Sequence, residues 1–280
     1  MQFSDFIHRT GLIAAHRGNR SVAPENTLRA FRKSIGVSDF IELDVQISRD
    51  GAVVVMHDET LERTTDIVRH SEFSHLRPWR VMDLTLYELK SLDAGSWFYS
   101  DDPFGGIARG GIDMSEAVPE TIPTLEETLR FARENDLLLN VEIKDMQTHL
   151  DDETVVKKIL DAIEGQGCSD RVLLSSFCHD YMRIAKLRAP HIPASVLQEG
   201  YHPENLAAYL NRLGVDGYHS DDAIITEEIV EELKRAGLFV GVYTVNDPTR
   251  ARQLFIWGVN ALFTDFPVKK RLHETEGSVK

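Results

Sequence analysis

Two short stretches, Glu42-Leu43-Asp44-Val45 and Val141-Glu142-Ile143-Lys144, carry charged residues at alternate positions with apolar residues between them. Successive side chains of an extended strand point to opposite faces, so Glu42 and Asp44 share one face, and so do Glu142 and Lys144. If both faces line the inside of one barrel, three carboxylates and an ammonium meet there with His16 and Arg17. Carboxylates this close repel one another and take up protons unless a cation lies among them. An all-oxygen set of Glu42, Asp44 and Glu142 suits a hard divalent ion, Ca2+ or Mg2+, with Mn2+ also compatible. Such a site suits a phosphodiester: the ion neutralises one non-bridging oxygen, and Arg17 and Lys144 stabilise charge on the others. His16 and His57 have the right chemistry to remove a proton from a nucleophile and give one to a leaving alkoxide. Residue types alone do not say which does which.

Plainer roles compete for the same residues. A lone histidine is more often a hydrogen-bonded core group than a catalyst. Glu42 and Asp44 could form the wet face of an edge strand, with Ile41, Leu43 and Val45 buried. In a barrel, however, those apolar positions face the helices, and the carboxylates are turned inward, where they need a cation. Lys144 could simply pair with Glu142. His219, near a strand end, is a candidate pocket residue. His8, His70, His75, His149, His179, His191, His202 and His273 read as surface or loop groups.

The elements that must position these residues alternate along the chain as βαβ units, the pattern of a parallel sheet. Strands are expected at 12–16, 40–45, 138–143, 172–177, 194–198, 216–219, 239–245 and 261–264, enough to close a (β/α)8 TIM-type barrel. A helix opens near Pro24 and carries Leu28, Ala30 and Phe31. Another starts at Thr124 with Glu127 completing a capping box, and helices over 226–236 and 248–257 stop at Gly237 and Gly258. After Val45 the chain turns at Asp50-Gly51 and returns through Val53-Val54-Val55, a hairpin after barrel strand 2 that brings His57 to the rim beside Asp44. Residues 59–120 then form a cap-like insertion between barrel strands 2 and 3, whose Trp79, Trp97 and Phe98 read as its own core. The whole, 1–280, is one barrel with one insertion.

The net charge of -14 argues against a nucleic-acid groove, which needs clustered Lys and Arg. The expected partner is a small anionic molecule; the oligomeric state is open. Cys168 and Cys178 are too few for a disulfide framework and suggest a reducing compartment. No apolar run approaches the roughly 18 residues of a membrane span, and residues 1–11 lack a signal-peptide core. A cytoplasmic, soluble protein is expected.

Several fragments combine into a recognisable series: His16-Arg17-Gly18, Pro24-Glu25-Asn26-Thr27, Glu42-Leu43-Asp44-Val45, His57-Asp58 and Val141-Glu142-Ile143-Lys144. It continues through Ser175-Ser176-Phe177, Tyr243-Thr244-Val245-Asn246 and Thr264-Asp265-Phe266-Pro267. In order and spacing the series resembles the glycerophosphodiester phosphodiesterase family from Leu12 to about Pro267. The resemblance implies a barrel related to phosphoinositide-specific phospholipases C and a divalent metal on Glu42, Asp44 and Glu142. It also implies His16 and His57 as acid and base, with Arg17 on the phosphate. The implied reaction is hydrolysis of a glycerophosphodiester to glycerol 3-phosphate and an alcohol, by water or through a neighbouring glycerol hydroxyl. Tyr243 stands where the family often has Trp, so Tyr243 and Asn246 are candidates for shaping the pocket. Two other readings are a phospholipase D-like action on lysophospholipids and a non-catalytic barrel that binds phosphometabolites.

Overall fold

Each expected strand is present in the structure, a computed structural model that describes residues 2–5, 7–146 and 150–268. Eight strands run parallel: β1 (Leu12–Ala15), β2 (Phe40–Ile47), β4 (Leu139–Ile143), β5 (Val172–Ser176), β6 (Ala194–Gln198), β7 (Gly217–Asp221), β8 (Phe239–Tyr243) and β9 (Ala261–Thr264). β1 pairs with both β2 and β9, which closes the barrel. The ninth strand, β3 (Val53–Val55), lies antiparallel on the far end of β2 in the register Val45 to Val55, as the hairpin reading expects.

Apolar positions on alternate sides of the strands explain the closure. Ile41, Leu43 and Val45 join Val141 and Ile143 in the main core between barrel and helices, which turns Glu42, Asp44 and Glu142 toward the lumen. The covering helices are α1 (Leu28–Lys33), α4 (Leu125–Glu134), α5 (Asp152–Gly165), α6 (His179–Arg188), α7 (Leu206–Leu213), α8 (Glu227–Arg235) and α9 (Pro248–Ile256). Their ends follow local chemistry. Thr27, Thr124 and Thr226 accept main-chain N–H groups at the helix starts, and Thr124 with Glu127 forms the full capping box. No helix among the described residues is long and apolar enough to cross a membrane.

The insertion carries two short helices, α2 (Leu86–Lys90) and α3 (Ser96–Asp101). It has a small core of its own, where Leu61, Ile67, Phe73, Trp79, Val81 and Leu89 pack on Val54 and Met56 of the hairpin region. Phe98 is buried as well. The insertion sits beside the barrel mouth: its Glu59 and Met82 border a small recess next to His57, while the main cavity is lined by barrel residues.

Candidate active site

The carboxyl ends of the strands surround a cavity of about 450 Å³, lined by His16, Arg17, Glu42, His57, Glu142 and Lys144, and on its other side by Phe177, Leu197, Glu199 and Tyr243. Position at this end of the strands is where barrels of this type carry their chemistry.

The first segment of the site is a tight turn. His16 follows β1 directly and its N–H donates to Thr264 O. Arg17 and Gly18 then both take left-handed backbone conformations, at φ 54° and 80°. Gly18 is obligatory on two counts, since a Cβ there would also lie 2.7 Å from Ala30 Cβ. The unfavourable conformation at Arg17 is held by its N–H, which donates to Glu42 Oε2 at 2.7 Å. Asn26, also left-handed at φ 56°, donates from Nδ2 to Asp44 Oδ2 at 2.8 Å. The Pro24-Glu25-Asn26-Thr27 segment therefore braces the carboxylates as well as starting α1.

The hairpin delivers His57. Gln46 Nε2 donates to three successive carbonyls, Met56 O, His57 O and Asp58 O, and Met56 N–H donates to Asp44 O at 3.0 Å. The returning strand is thereby clamped to the end of β2, so the histidine's place is set by sheet pairing.

Glu42, Asp44 and Glu142 are all buried, and one oxygen from each lies within 4.8 Å of the others. Asp44 and Glu142 are register partners on neighbouring strands. Glu42 Oε1 and Asp44 Oδ1 have no hydrogen-bond partner among the described residues, although Lys144 Nζ lies 3.6 Å from Asp44 Oδ1. Burial raises the Glu42 carboxyl well above its ordinary range, and the charges of Asp44 and Glu142 push it further. Glu142 is raised for the same reasons, burial first and Asp44 second, against the downward pull of Lys144, whose Nζ lies 2.6 Å from Glu142 Oε1. Asp44 goes the other way. Burial alone would raise it, but Arg17, Lys144, His57 and the Asn26 amide together hold it well below the carboxylate range. Three carboxylates within reach of one another, with two oxygens lacking a hydrogen-bond donor, form an all-oxygen set of the kind a hard divalent cation can use.

Both imidazoles are held by carboxylates. His16 Nδ1 lies 2.8 Å from Asp265 Oδ1 and His57 Nδ1 lies 2.6 Å from Asp58 Oδ1. In a neutral ring engaged this way Nδ1 carries the N–H, which leaves the lone pair on Nε2. Burial lowers the pKa of His16, with Arg17 and Arg20 adding to the effect against the upward pull of Asp265. In return, His16 is the main group holding Asp265 down, to about 2, against burial.

The sequence profile of the glycerophosphoryl diester phosphodiesterase family matches residues 16–269. The chain belongs to that family. It is 32% identical over 259 residues to a glycerophosphodiester phosphodiesterase of Caldanaerobacter subterraneus subsp. tengcongensis, covering 91% of this chain and 94% of the relative. It is 33% identical over 260 residues to one of Bacillus altitudinis, with 91% and 94% covered. Among solved structures, it resembles an Oleispira antarctica phosphodiesterase in complex with the product sn-glycerol-3-phosphate, at TM-score 0.77 and 28% identity over 94% of this chain and 95% of the other. Membership makes this chain a phosphoric diester hydrolase, and the family's barrel is the one described above.

Within that frame, the expected residues His16, Arg17, Glu42, His57, Glu142, Lys144 and Tyr243 line one cavity, with Asp44 beside them in the carboxylate cluster. Two expectations are corrected. His219 is not a pocket residue. β7 runs on to Asp221, so His219 sits in mid-strand inside the lumen, fully buried against Phe263 and over Gly241. Burial alone holds its imidazole down, to about 3. Asn246 is not a lining residue either. Its amide donates to Asp265 Oδ2 at 2.8 Å, and its Oδ1 accepts from Thr264 Oγ1 and from Asp265 N–H, so it fixes the carboxylate that holds His16. Asp265 and Asp58, which hold the two rings, are not singled out by residue type or spacing. Their only signal was position, each within a motif and beside a rim residue. His179 and His202 are tethers: each ring lies between a tyrosine hydroxyl and a main-chain carbonyl. His149 and His273 lie outside the described residues.

Proposed function

We propose that this chain hydrolyses glycerophosphodiesters such as glycerophosphocholine and glycerophosphoethanolamine to glycerol 3-phosphate and the free alcohol. The observation that carries the reading is the buried cluster of Glu42, Asp44 and Glu142 at a cavity flanked by two carboxylate-held imidazoles. Glu42, Asp44 and Glu142 would hold one divalent cation, Ca2+ or Mg2+, with Mn2+ also compatible. When bound, that ion supplies charge neutralisation at a non-bridging phosphate oxygen and acidifies the attacking hydroxyl.

The chain's own groups do the rest. Arg17 and Lys144 offset the charge that grows on the phosphate oxygens. One imidazole Nε2 takes the proton from the attacking oxygen as it bonds to phosphorus. The other gives a proton to the alcohol oxygen as its bond to phosphorus breaks. Asp265 and Asp58 keep both rings in the tautomer this exchange requires. Tyr243 and Phe177, in edge contact with ring centres 5.9 Å apart, form the apolar side of the cavity against which the organic part of the substrate lies. The proposal extends to a cytoplasmic setting, supported by Cys168 and Cys178, which form no disulfide.

The test is release of glycerol 3-phosphate from a panel of diesters after chelation and after return of each cation. Activity that disappears with chelator and returns with one of the three ions supports the reading, whereas activity indifferent to chelation overturns it. Cleavage confined to lysophospholipids would point to the phospholipase D-like action, and inertness toward every diester to a binding barrel. His16→Ala and His57→Ala should each lower turnover at least roughly a hundredfold. A near-normal rate in either variant removes that histidine from the mechanism.

A further inference from the structure

His16 and His57 stand on different segments, yet the carboxylates that hold them belong to one ionic network. Arg63, from the insertion, donates to Asp58 from Nε at 2.5 Å and from Nη2 at 2.9 Å. The same guanidinium donates to both oxygens of Glu25, at 3.1 and 2.7 Å. Glu25 also accepts from Arg17 Nη1 at 2.9 Å, and Arg20 Nη2 lies 2.6 Å from its other oxygen. Arg20 Nη1 in turn reaches Asp265 Oδ1, the oxygen that holds His16, at 3.4 Å. A continuous path thus runs from His57 through Asp58, Arg63, Glu25, Arg20 and Asp265 to His16, with the phosphate-facing Arg17 branching from its centre.

The centre of this path is buried: the Glu25 side chain is 2% exposed. Apart from Arg17, two guanidiniums face three carboxylates, so the rest of the network has no positive charge left over to bind a second anion. That balance favours a structural service to the site over a second phosphate subsite. The insertion supports both halves. Trp97 lies under the Arg63 guanidinium at 5.9 Å, and Phe104 under that of Arg20 at 5.3 Å, with Phe104 itself against Phe266, next to Asp265. A guanidinium fork fixes the plane of each carboxylate it grips, which a single contact would leave free to rotate.

We propose that Glu25 and Arg63 are positioning residues that set the orientation of both imidazoles together, and that the insertion serves the reaction by supplying and packing this brace. The proposal rests on the reading of His16 and His57 as the acid and base. The principal variant is Arg63→Met, because Arg63 is 41% exposed and its loss leaves the core intact. Its kcat should fall roughly tenfold to a hundredfold, the usual cost of removing an outer partner of a reactive group, with KM within about twofold. Arg63→Lys keeps the charge but not the fork and should stay low. Arg80→Met, which breaks an exposed pair with Glu59, is the control from the same insertion.

The second readout is the histidine tautomer, followed by long-range proton–nitrogen NMR of the full-length protein. Arg63→Met should introduce a second tautomer at His57, and Glu25→Gln at both His57 and His16. The proposal is overturned if Arg63→Met keeps kcat within twofold, if Arg63→Lys restores it fully, or if the imidazole spectra do not change. If Glu25→Gln does not fold, Arg63→Met decides alone. Loss of turnover in His57→Ala alongside normal turnover in Arg63→Met would sink the brace and leave the acid–base reading standing. Normal turnover in His57→Ala would sink that reading, while the tautomer measurements would still decide whether the brace orients the rings.

Discussion

Glu25 and Glu42 are glutamates of almost equal burial, 5% and 3% exposed, near the same mouth, and the fold treats them in opposite ways. Around Glu25 it gathers Arg17, Arg20 and Arg63, whose hydrogen bonds and charges overcome burial and bring the carboxyl down to about 2. Around Glu42 it gathers two more carboxylates, and burial and repulsion drive its carboxyl upward. Desolvation is common to both, so the difference lies in who was placed alongside. A buried acid satisfied by its own protein is a fastener. One that remains short of positive charge after folding marks where the protein expects a cation from outside.

The contrast can be broken most forcefully at Glu25. Glu25→Gln leaves three guanidiniums facing a neutral amide and should cost about 3–5 kcal/mol of stability, read by urea denaturation in chelator. A loss under about 1 kcal/mol would show that the cluster is not a fastener. Next in size is the pH dependence. The folded carboxyl of Glu25 titrates at about 2 against an ordinary 4.5, so its contribution is complete above 4.5 and drains away as pH falls toward 2. Over that window it amounts to about 3 kcal/mol. Glu42, raised in the folded state, has the reverse sign: its contribution is present below its ordinary value and is lost as pH climbs through the raised one. Metal-free protein should therefore weaken at both ends, with Glu25→Gln flattening the acid limb and Glu42→Gln the upper one. A metal-free stability curve that rises steadily with pH would contradict the assignment.

Smaller again is the effect of the ion. A divalent cation at a hundred times its Kd should add about 2.7 kcal/mol, seen as a rise in Tm in the wild type and largely absent in Glu42→Gln. An equal rise in both would place the ion elsewhere. The smallest effect is the sharpest: Glu42→Gln should make the metal-free protein more stable by about 1 kcal/mol while abolishing metal-dependent turnover, since an amide is cheaper to bury than a carboxylate between two others. Lower metal-free stability would mean that the triad's repulsion is already relieved by Lys144.

What the sequence made legible follows from the range of the interactions. The barrel strands and the carboxylate set could be read because a strand's alternation is local: Ile41, Leu43 and Val45 announce where Glu42 and Asp44 must point. The Asp50-Gly51 turn announced the hairpin in the same way. The partners of the histidines could not be read by such means. Asp265 is 249 residues from His16, and only closure of β1 on β9 brings them together. A strand ending at residue 219 would put His219 on the rim. Alternation gives the face of a strand but not the depth along it, and β7 extends two residues further. Asn246 lies next to the rim in sequence, but its amide is taken up by the turn after β9.

The closure of β1 on β9 also has a consequence for biosynthesis. The first histidine receives its orienting carboxylate from residue 265, and β1 gains its second neighbour only from residues 261–264. A chain cut before that point contains Glu42, Asp44 and Glu142 but not the Asp265 that holds His16. Until residue 265 has been added and β9 has closed on β1, the ring of His16 lacks the carboxylate that fixes it.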